Sequence, residues 1–404
     1  MQKIFYNANV YTFNDAGGLS QAFLVNDGII TFAGENNEIL CMKTDETELV
    51  DMKGRSVYSA FFDLDKSIYE LVKERVRLKK SDETSSKNVE KFKISELLSE
   101  FYIIQEEFIK NGITTISETK ITEESFEFFK KLSESKKLKI DVVGYVDLST
   151  SKQVMDDNCR TYRKYVGHFR LSGYSLSLDG KIESGKAWRT VGLRKRVYGY
   201  GNYFDEGLSF ILKSALDDKK QLLVEANGNL AVDQFIRCFS EVLEKGKYDD
   251  IYKPIIKCVV LSKNQLKKLK NLGVAVMFDM SYLTDCTRAE LKSLALINKN
   301  FLPVKLAAEL GIDFLLTSNE YVSNISHLIQ SASSRKCKDN KLVVKENGIS
   351  THDALKSLTL LSAEYVFDGS HKGSLESGKQ ANFIVTDSAD LSEVLETYVL
   401  GEKL

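Results

Sequence analysis

Eight short apolar segments, each followed by a helical pattern, fill the middle of the chain and constrain its fold more than any other feature. Regular alternation of strand and helix favours a parallel sheet covered by helices. Eight such units in roughly 270 residues have the size of a (β/α)8 barrel. A doubly wound open sheet is the alternative, since it shares the alternation. The predicted strands are residues 59–67, 114–117, 139–147, 171–178, 221–226, 255–261, 274–279 and 313–317.

Short β-like segments flank this region at both ends of the chain. The turn Asn26-Asp27-Gly28 separates two of them near the amino terminus, and two more follow at residues 381–386 and 397–400. We therefore expect the ends to pair into one small β-sandwich, with residues 1–58 and 372–404 forming that domain and residues 59–371 the barrel. The glycine- and tyrosine-rich stretch 179–204 is predicted to be a long loop.

Composition argues against several classes of protein. A net charge of -1 and a pI near 6.5 give no reason to expect a nucleic-acid or membrane partner. The six cysteines contain no CxxC pair, so they predict free thiols and no zinc ribbon. No apolar run approaches the length of a membrane helix, about 18 residues. These observations predict a cytoplasmic protein.

Three motifs occur in a suggestive order: LDGKIESGKA at residues 178–187, VEANGNLAVD at residues 224–233 and HKGSLESGKQANFIVTD at residues 371–387. Together they resemble motifs of the amidohydrolase superfamily, in the amidohydrolase 3 branch that includes N-substituted formamide deformylases. The resemblance implies a barrel with a composite sandwich. It also implies hydrolysis of a non-peptide C–N bond at a divalent metal.

The positions that hold metal in that family differ here. The resemblance places the first strand's two metal-binding histidines at Asp65 and Ser67 within SAFFDLDKS, residues 59–67. None of the four histidines, His168, His327, His352 and His371, follows a predicted barrel strand. A histidine-based zinc site is therefore predicted to be lost, and no cofactor is expected. The other substituted metal positions are Ser175, Glu225, Cys258 and Asn319.

Two functions remain open from the sequence. The first is a degenerate family member that binds a small molecule at the barrel mouth and acts as a binding or regulatory protein. The alternative is an active hydrolase with a rebuilt site at Asp65, Glu225 and Asn319. Oxygen ligands there suit Mg or Mn better than zinc, and Asp65 with Glu225 is also a candidate acid/base pair.

Further candidates are predicted to contact a substrate. They are Asp179, Arg189 and Cys258, of which Cys258 is also a possible nucleophile or a buried apolar residue. Four cations and four aromatic residues in the predicted loop 179–204 predict either a binding site for an anionic or aromatic ligand or a solvated basic loop. They are Arg189, Arg194, Lys195 and Arg196 with Trp188, Tyr198, Tyr200 and Tyr203. A homodimer is possible.

Overall fold

The computed structural model describes residues 1–13, 18–83, 92–192, 194–248, 252–318, 324–387, 389, 391 and 393–404. The amino-terminal part is built from short strands and one short helix. They are β1 (Gln2–Tyr6), β2 (Asn9–Tyr11), β3 (Leu19–Ser20), β4 (Ala22–Asn26), β5 (Ile29–Gly34), α1 (Asn36–Leu40), β6 (Glu48–Asp51) and β7 (Ser56–Ser59).

Ten strands follow, and eight of them form one parallel sheet. In chain order the ten are β8 (Phe61–Lys66), β9 (Ile113–Ile121), β10 (Asp141–Asp147), β11 (Phe169–Ser177), β12 (Arg189–Val191), β13 (Arg196–Tyr198), β14 (Gln221–Glu225), β15 (Ile255–Cys258), β16 (Ala275–Asp279) and β17 (Phe314–Thr317). The strands of the parallel sheet lie side by side in sequence order from β8 to β17, without β12 and β13. The order never reverses, unlike that of a doubly wound sheet. The predicted barrel is therefore confirmed.

Helices connect the barrel strands and cover them. Their apolar stripes face inward; in α3, for example, Leu97, Phe101, Ile104 and Phe108 are buried. Within the described residues, no helix has the length and apolar character needed to cross a membrane. The helices are α2 (Ile68–Glu83), α3 (Ile94–Lys110), α4 (Glu123–Glu134), α5 (Lys152–Asp157), α6 (Asp205–Asp217), α7 (Asn229–Lys245), α8 (Lys263–Asn271), α9 (Ser281–Thr284), α10 (Arg288–Ser293), α11 (Val304–Glu309), α12 (Ile325–Ser334), α13 (Thr351–Leu358) and α14 (Leu360–Tyr365), with short 3-10 helices at Cys159–Thr161 and Lys345–Asn347.

The barrel interior changes from apolar to polar along its axis. An apolar cluster formed by residues such as Phe62, Val143 and Met277 fills its lower part, and Tyr365 and Val366 at the end of α14 pack against this cluster. Because side chains alternate along a strand, the inward positions one step further along several strands lie at the carboxyl ends. Polar groups occupy that layer, where barrel enzymes carry their active sites.

The first and last barrel strands are joined by side chains. No backbone ladder connects β8 with β17 in the part of the chain that the structure describes. Instead, the Asp63 carboxylate accepts hydrogen bonds from Thr317 Oγ1 at 2.9 Å and Ser318 Oγ at 2.6 Å. Lys66 Nζ lies 2.7 Å from Asp63 Oδ2 and donates to Ser318 O at 3.1 Å. Both charged side chains are fully buried, so a buried ion pair closes this seam.

The chain ends complete the small domain with β18 (Phe383–Thr386), β19 (Glu396–Val399) and β20 (Glu402–Lys403). β18 pairs with β7, with Phe383 opposite Ser59, in a six-stranded sheet. A four-stranded sheet of β1, β4, β5 and β6 packs against it through one shared apolar cluster. The two aromatic pairs Phe5–Phe23 and Phe383–Tyr398 stack at 4.9 Å and 4.4 Å, and Phe5 lies edge-on to Phe383. The prediction that both ends share a sandwich is confirmed.

The stretch predicted to be one long loop, residues 179–204, contains a β-hairpin, so that prediction was wrong in part. β12 and β13 pair antiparallel, with Arg189 opposite Tyr198. β-branched Thr190, Val191 and Val197 favour the extended backbone, and Gly192 supplies the positive φ of 72° at the turn. The abundance of glycine and polar residues conceals this short pair of strands in the sequence.

Candidate functional site

A buried ammonium group lies among three carboxylates at the carboxyl end of the barrel. Lys257 Nζ, on β15, is 2.5 Å from Asp65 Oδ2 on β8 and 3.4 Å from Glu225 Oε1 on β14. Asp279 Oδ2, on β16, lies 4.0 Å from the same nitrogen. The Lys257 side chain is 11% exposed. Four strands therefore direct one cation and three anions into the same small volume.

Burial is the main influence on the pKa of Asp65, one of the three carboxyl groups around Lys257. Burial raises its pKa to about 6. The neighbouring Lys257 ammonium lowers the pKa, but the negative charges of Asp279 and Glu225 raise it again. Asp65 therefore ionises at a higher pH than an ordinary aspartate.

The pKa of Glu225 is shifted in the opposite direction, although Glu225 contacts the same lysine. Burial alone would raise its pKa, but the ammonium groups of Lys257 and Lys120 outweigh burial. Hydrogen bonds from Ser177 Oγ at 2.9 Å and Asn227 Nδ2 at 3.4 Å favour the ionised form further. The pKa of Glu225 is consequently below its ordinary value, and this carboxylate stays charged.

The amine of Lys257 is held in its protonated form. Burial would lower its pKa, but Asp65, Glu225 and Asp279 together raise the pKa well above that of an ordinary lysine. A nucleophilic lysine needs a depressed pKa that frees its electron pair. Lys257 is therefore a fixed positive charge and not a nucleophile.

Of the residues predicted to be catalytic, the structure brings Asp65 and Glu225 together around Lys257. Asn319 lies outside the described residues. Cys258, predicted as a substrate contact, is fully buried in the apolar cluster outside the barrel lumen, with Sγ 3.9 Å from Ile256 O. The alternation of β15 places the preceding residue, Lys257, at the mouth instead.

The other predicted positions have local structural contacts. Ser175 is buried on β11 with its hydroxyl 3.5 Å from Tyr145 O, and Ser67 directly follows β8. The Asp179 carboxylate accepts N–H groups of Trp188, Asn227 and Gly228, each at 2.8 Å. Burial raises the Asp179 pKa to about 7 against these bonds. Asp179 thus connects the loops that follow β11 and β14.

Arg189 begins β12 and lies at the edge of the mouth. It is half-buried, and burial lowers its pKa, while the nearby Tyr282 and Glu183 oppose that decrease. Its guanidinium therefore lies close to side chains that line the mouth.

A cavity of about 310 Å³ opens beside the ammonium cluster. Four carboxylates and two lysines line it, so its wall is strongly polar. A larger groove of about 810 Å³ lies between α7 and α8, away from these side chains. The residues around the mouth cavity are Lys181, Glu183, Glu225, Asn227, Lys257, Asp279, Ser281, Tyr282, Asp285 and Cys286.

The chain that forms this site is similar to known proteins in sequence pattern and in fold. A model described as the amidohydrolase family matches residues 70–401. The chain belongs to the amidohydrolase family. The match starts just after β8, so the stretch 59–67 precedes it. No curated protein sequence matches this chain.

Solved structures show the same fold at low sequence identity to this amidohydrolase-family chain. An uncharacterised metal-dependent hydrolase from Pyrococcus horikoshii OT3 is 16% identical, with a TM-score of 0.79 over 100% of both chains. A similar hydrolase from Pyrococcus furiosus is 15% identical, with a TM-score of 0.79 over 97% of this chain and 100% of that one. The triazine hydrolase from Arthrobacter aurescens is 14% identical, with a TM-score of 0.67 over 100% of this chain and 94% of the other. These likenesses support the fold.

The side chains at the mouth do not fit the metal that the amidohydrolase resemblance implies. Zinc takes imidazole, thiolate and carboxylate ligands in a tight set. His168 contacts Asp141 at the start of β10, at the opposite end of the barrel. Among the described residues, no three His, Cys, Asp or Glu side chains are grouped to hold an ion. At the point where Asp65 and Glu225 converge, the Lys257 ammonium already supplies the positive charge.

Lys257 and Asp279 are the site residues that sequence reasoning missed. A signal for Lys257 exists in the segment PIIKCVVL, where one lysine interrupts a continuous apolar run. A charged side chain in such a strand requires buried partners of opposite charge. Asp279 ends β16 in the same way that Glu225 ends β14.

Glu118 is a further buried carboxyl group near this end of the barrel. It lies on β9 and accepts the N–H of Ile68 at 2.6 Å, at the amino end of α2. Burial raises its pKa to about 8 against the backbone hydrogen bonds. Glu118 thus fixes the beginning of the first barrel helix and retains a proton that the unfolded chain releases.

Glu118→Gln is expected to weaken the pH dependence of stability. Between pH 4.5, the ordinary value, and about pH 8, the folded protein binds a proton at Glu118 that the unfolded chain lacks. The free energy of unfolding therefore falls as pH rises through this window, by up to about 1.4 kcal/mol per pH unit. Urea denaturation from pH 5 to pH 8 should show a smaller fall in the variant. The exposed Glu123→Gln is the control, and an unchanged slope in Glu118→Gln would contradict the assignment.

Proposed function

We propose that this amidohydrolase-family chain is a metal-independent binding or regulatory protein that recognises a small molecule at its barrel mouth. One observation carries the proposal: the Lys257 ammonium lies among Asp65, Glu225 and Asp279. This internal cation pairs with the carboxylates that a divalent ion would need as ligands. The carboxyl end of the barrel keeps its shape through this cluster.

The side chains of the mouth offer little for hydrolysis without a metal. The Lys257 amine is protonated, and the Cys258 thiol lies in the core, where burial raises its pKa well above the ordinary value. No histidine is among the described residues that line the mouth cavity and could activate a nucleophile, and His168 lies at the far end of the barrel. These features favour binding over bond cleavage.

The mouth cavity supports a small ligand. Its volume, about 310 Å³, is at the lower end of the range for ligand pockets. Tyr282 contributes an aromatic surface, and Asn227 and Ser281 contribute hydrogen-bonding groups beside the charged cluster. Such a lining suits a compact polar molecule.

A second candidate is a hydrolase rebuilt around Asp65, Glu225 and Asn319. The separation of two carboxyl pKa values favours it: the pKa of Asp65 is about 6, while that of Glu225 lies below its ordinary value. Pairs separated in this way can divide the roles of acid and base. In this alternative, Asp65 accepts or donates the proton and Glu225 remains ionised.

Metal analysis of the purified protein by plasma mass spectrometry tests the proposal. The expected result is substoichiometric metal and no thermal stabilisation by Mg²⁺, Mn²⁺ or Zn²⁺. In Lys257→Ala, Asp65 and Glu225 lose the cation that lies between them, so added Mn²⁺ should take its place and raise the melting temperature through binding to the folded state. Lys120→Ala, which keeps Lys257, is the matched control and should not respond. Stoichiometric metal in the unchanged protein, with hydrolysis of amide substrates, would favour the second candidate.

A further inference from the structure

The hairpin of β12 and β13 is anchored at its base and exposed beyond it. Thr190 N donates to Asn229 Oδ1 at 3.0 Å, and Leu230 N donates to Trp188 O at 3.1 Å. These bonds fix β12 to the amino end of α7, on the mouth side of the barrel. All three residues of β13 are exposed. The hairpin is therefore fixed to the barrel through β12, and its second strand, β13, is exposed to solvent.

Cations at the tip of the hairpin have no carboxylate partner among the residues that the structure describes. Arg194, Lys195 and Arg196 are exposed. None of the three has an ion pair, although ion pairs are common elsewhere in the described chain, for example between Arg75 and Glu107 or Arg237 and Asp205. Three neighbouring cations without compensation repel one another, and an anionic partner would remove that cost.

Apolar and aromatic side chains accompany these cations. Val197 is 62% exposed, Tyr198 47%, Tyr200 62% and Phe204 88%. Tyrosine, phenylalanine and arginine are enriched in protein interfaces. Val197 and Tyr198 directly follow Arg196 on β13, so exposed apolar surface and positive charge occur together on this strand.

The backbone of β13 offers hydrogen bonds to an added strand. Thr190 lies opposite Val197, but its N–H points away from β13 and donates to Asn229 Oδ1. Thr190 and Val197 are therefore a non-hydrogen-bonded pair of the antiparallel ladder. The N–H and C=O of Val197 consequently point to the free edge. No further strand pairs with β13 in the described part of the chain. A free edge of this kind accepts an extended peptide.

We propose that this hairpin binds an extended acidic segment of a partner protein, which adds to the free edge of β13 as a third strand. Carboxylates of the segment would pair with Arg194, Lys195 and Arg196, and its apolar side chains would pack on Val197 and Tyr198. A two-fold contact between two copies of the hairpin would bring identical cations together, so a second copy of this chain is disfavoured. The surface is separate from the ligand cavity proposed above.

A single-stranded nucleic acid is disfavoured as the partner. Stacking aromatics and cations would also suit nucleic acid. However, binding to phosphates depends on many contacts along an extended positive surface, and the whole chain carries a net charge of -1. The available N–H and C=O of Val197 match a peptide backbone specifically.

Fluorescence anisotropy with a labelled peptide of alternating Glu and Val tests this proposal. We expect saturable binding that weakens with added salt. The double variant Arg194→Glu/Arg196→Glu should weaken binding by at least about tenfold, since close charge pairs become repulsive. Val197→Pro should also weaken it, because proline removes the edge N–H. Lys263→Glu/Lys267→Glu, an equal charge change on the exposed face of α8, is the matched control and should leave binding unchanged.

Circular dichroism verifies that each variant is folded. Absence of saturable binding of the acidic peptide would overturn the proposal. So would equal binding of a Gln/Val peptide, because charge would then play no part. Tighter hairpin-dependent binding of an oligothymidine or of vesicles containing phosphatidylserine would assign the surface to a different class of partner.

Discussion

Replacement of Lys257 by methionine is expected to lower the free energy of unfolding by about 3–5 kcal/mol, the usual cost of breaking a buried ion pair by removing one partner. Methionine keeps most of the side-chain volume but removes the cation between Asp65 and Glu225. The remaining carboxylates repel one another in a poorly solvated space. The loss should be larger at pH 8 than at pH 5, because protonation relieves this repulsion at low pH.

Urea denaturation at both pH values measures this effect. Lys120→Met is the matched control: its ammonium is 3.5 Å from Glu225 but 51% exposed, so we expect a loss below about 1 kcal/mol. Asp65→Asn combined with Lys257→Met should recover part of the stability, since it removes one of the repelling charges. Equal losses in the two lysine variants would show that the cluster is not an effective buried ion pair.

Asp63→Ala is the second substitution with a large expected effect, again about 3–5 kcal/mol. It removes the acceptor for Thr317 and Ser318 and the counter-charge 2.7 Å from Lys66. Because these contacts join β8 to β17, the variant should also loosen the barrel locally. Hydrogen exchange is expected to accelerate in β8 and β17 more than in β11 and β14, on the far side of the barrel.

A surface substitution provides the comparison for Asp63. Asp217 is 48% exposed and pairs with Lys213 on the same helix. Asp217→Ala should therefore lower stability by less than about 1 kcal/mol. If Asp63→Ala caused a similarly small loss, or accelerated exchange evenly in all barrel strands, side-chain closure of the seam would be refuted.

The alternation of strands and helices was sufficient to predict the barrel, because each apolar segment ends in a turn or helix signal that depends on local residues. The convergence of Asp65 and Glu225 also followed from the sequence, since they end strands whose carboxyl ends meet in a barrel. Pairing of the two chain ends was predictable from their β character. In these cases, local pattern and topology agree.

The residue of β15 that faces the barrel interior was harder to predict from the sequence. The strand IIKC can direct either Lys257 or Cys258 inward, and a shift of one residue exchanges the two faces. Only the three carboxylates of other strands decide the choice, and their positions depend on tertiary structure. The hairpin of residues 189–198 was missed for a related reason: its strands are three residues long and stabilised by contacts with α7.

The pairing of β7 with β18 has a consequence for the order of synthesis. Ser59 pairs with Phe383, so on the order of 300 residues must be translated between them, which takes tens of seconds at usual rates. During that interval one edge of β7 is open to pairing with other chains, a known route to aggregation. The sheet that contains β7 can thus be completed only after the whole barrel between them has been synthesised, and loss of residues 383–386 would expose the edge of β7.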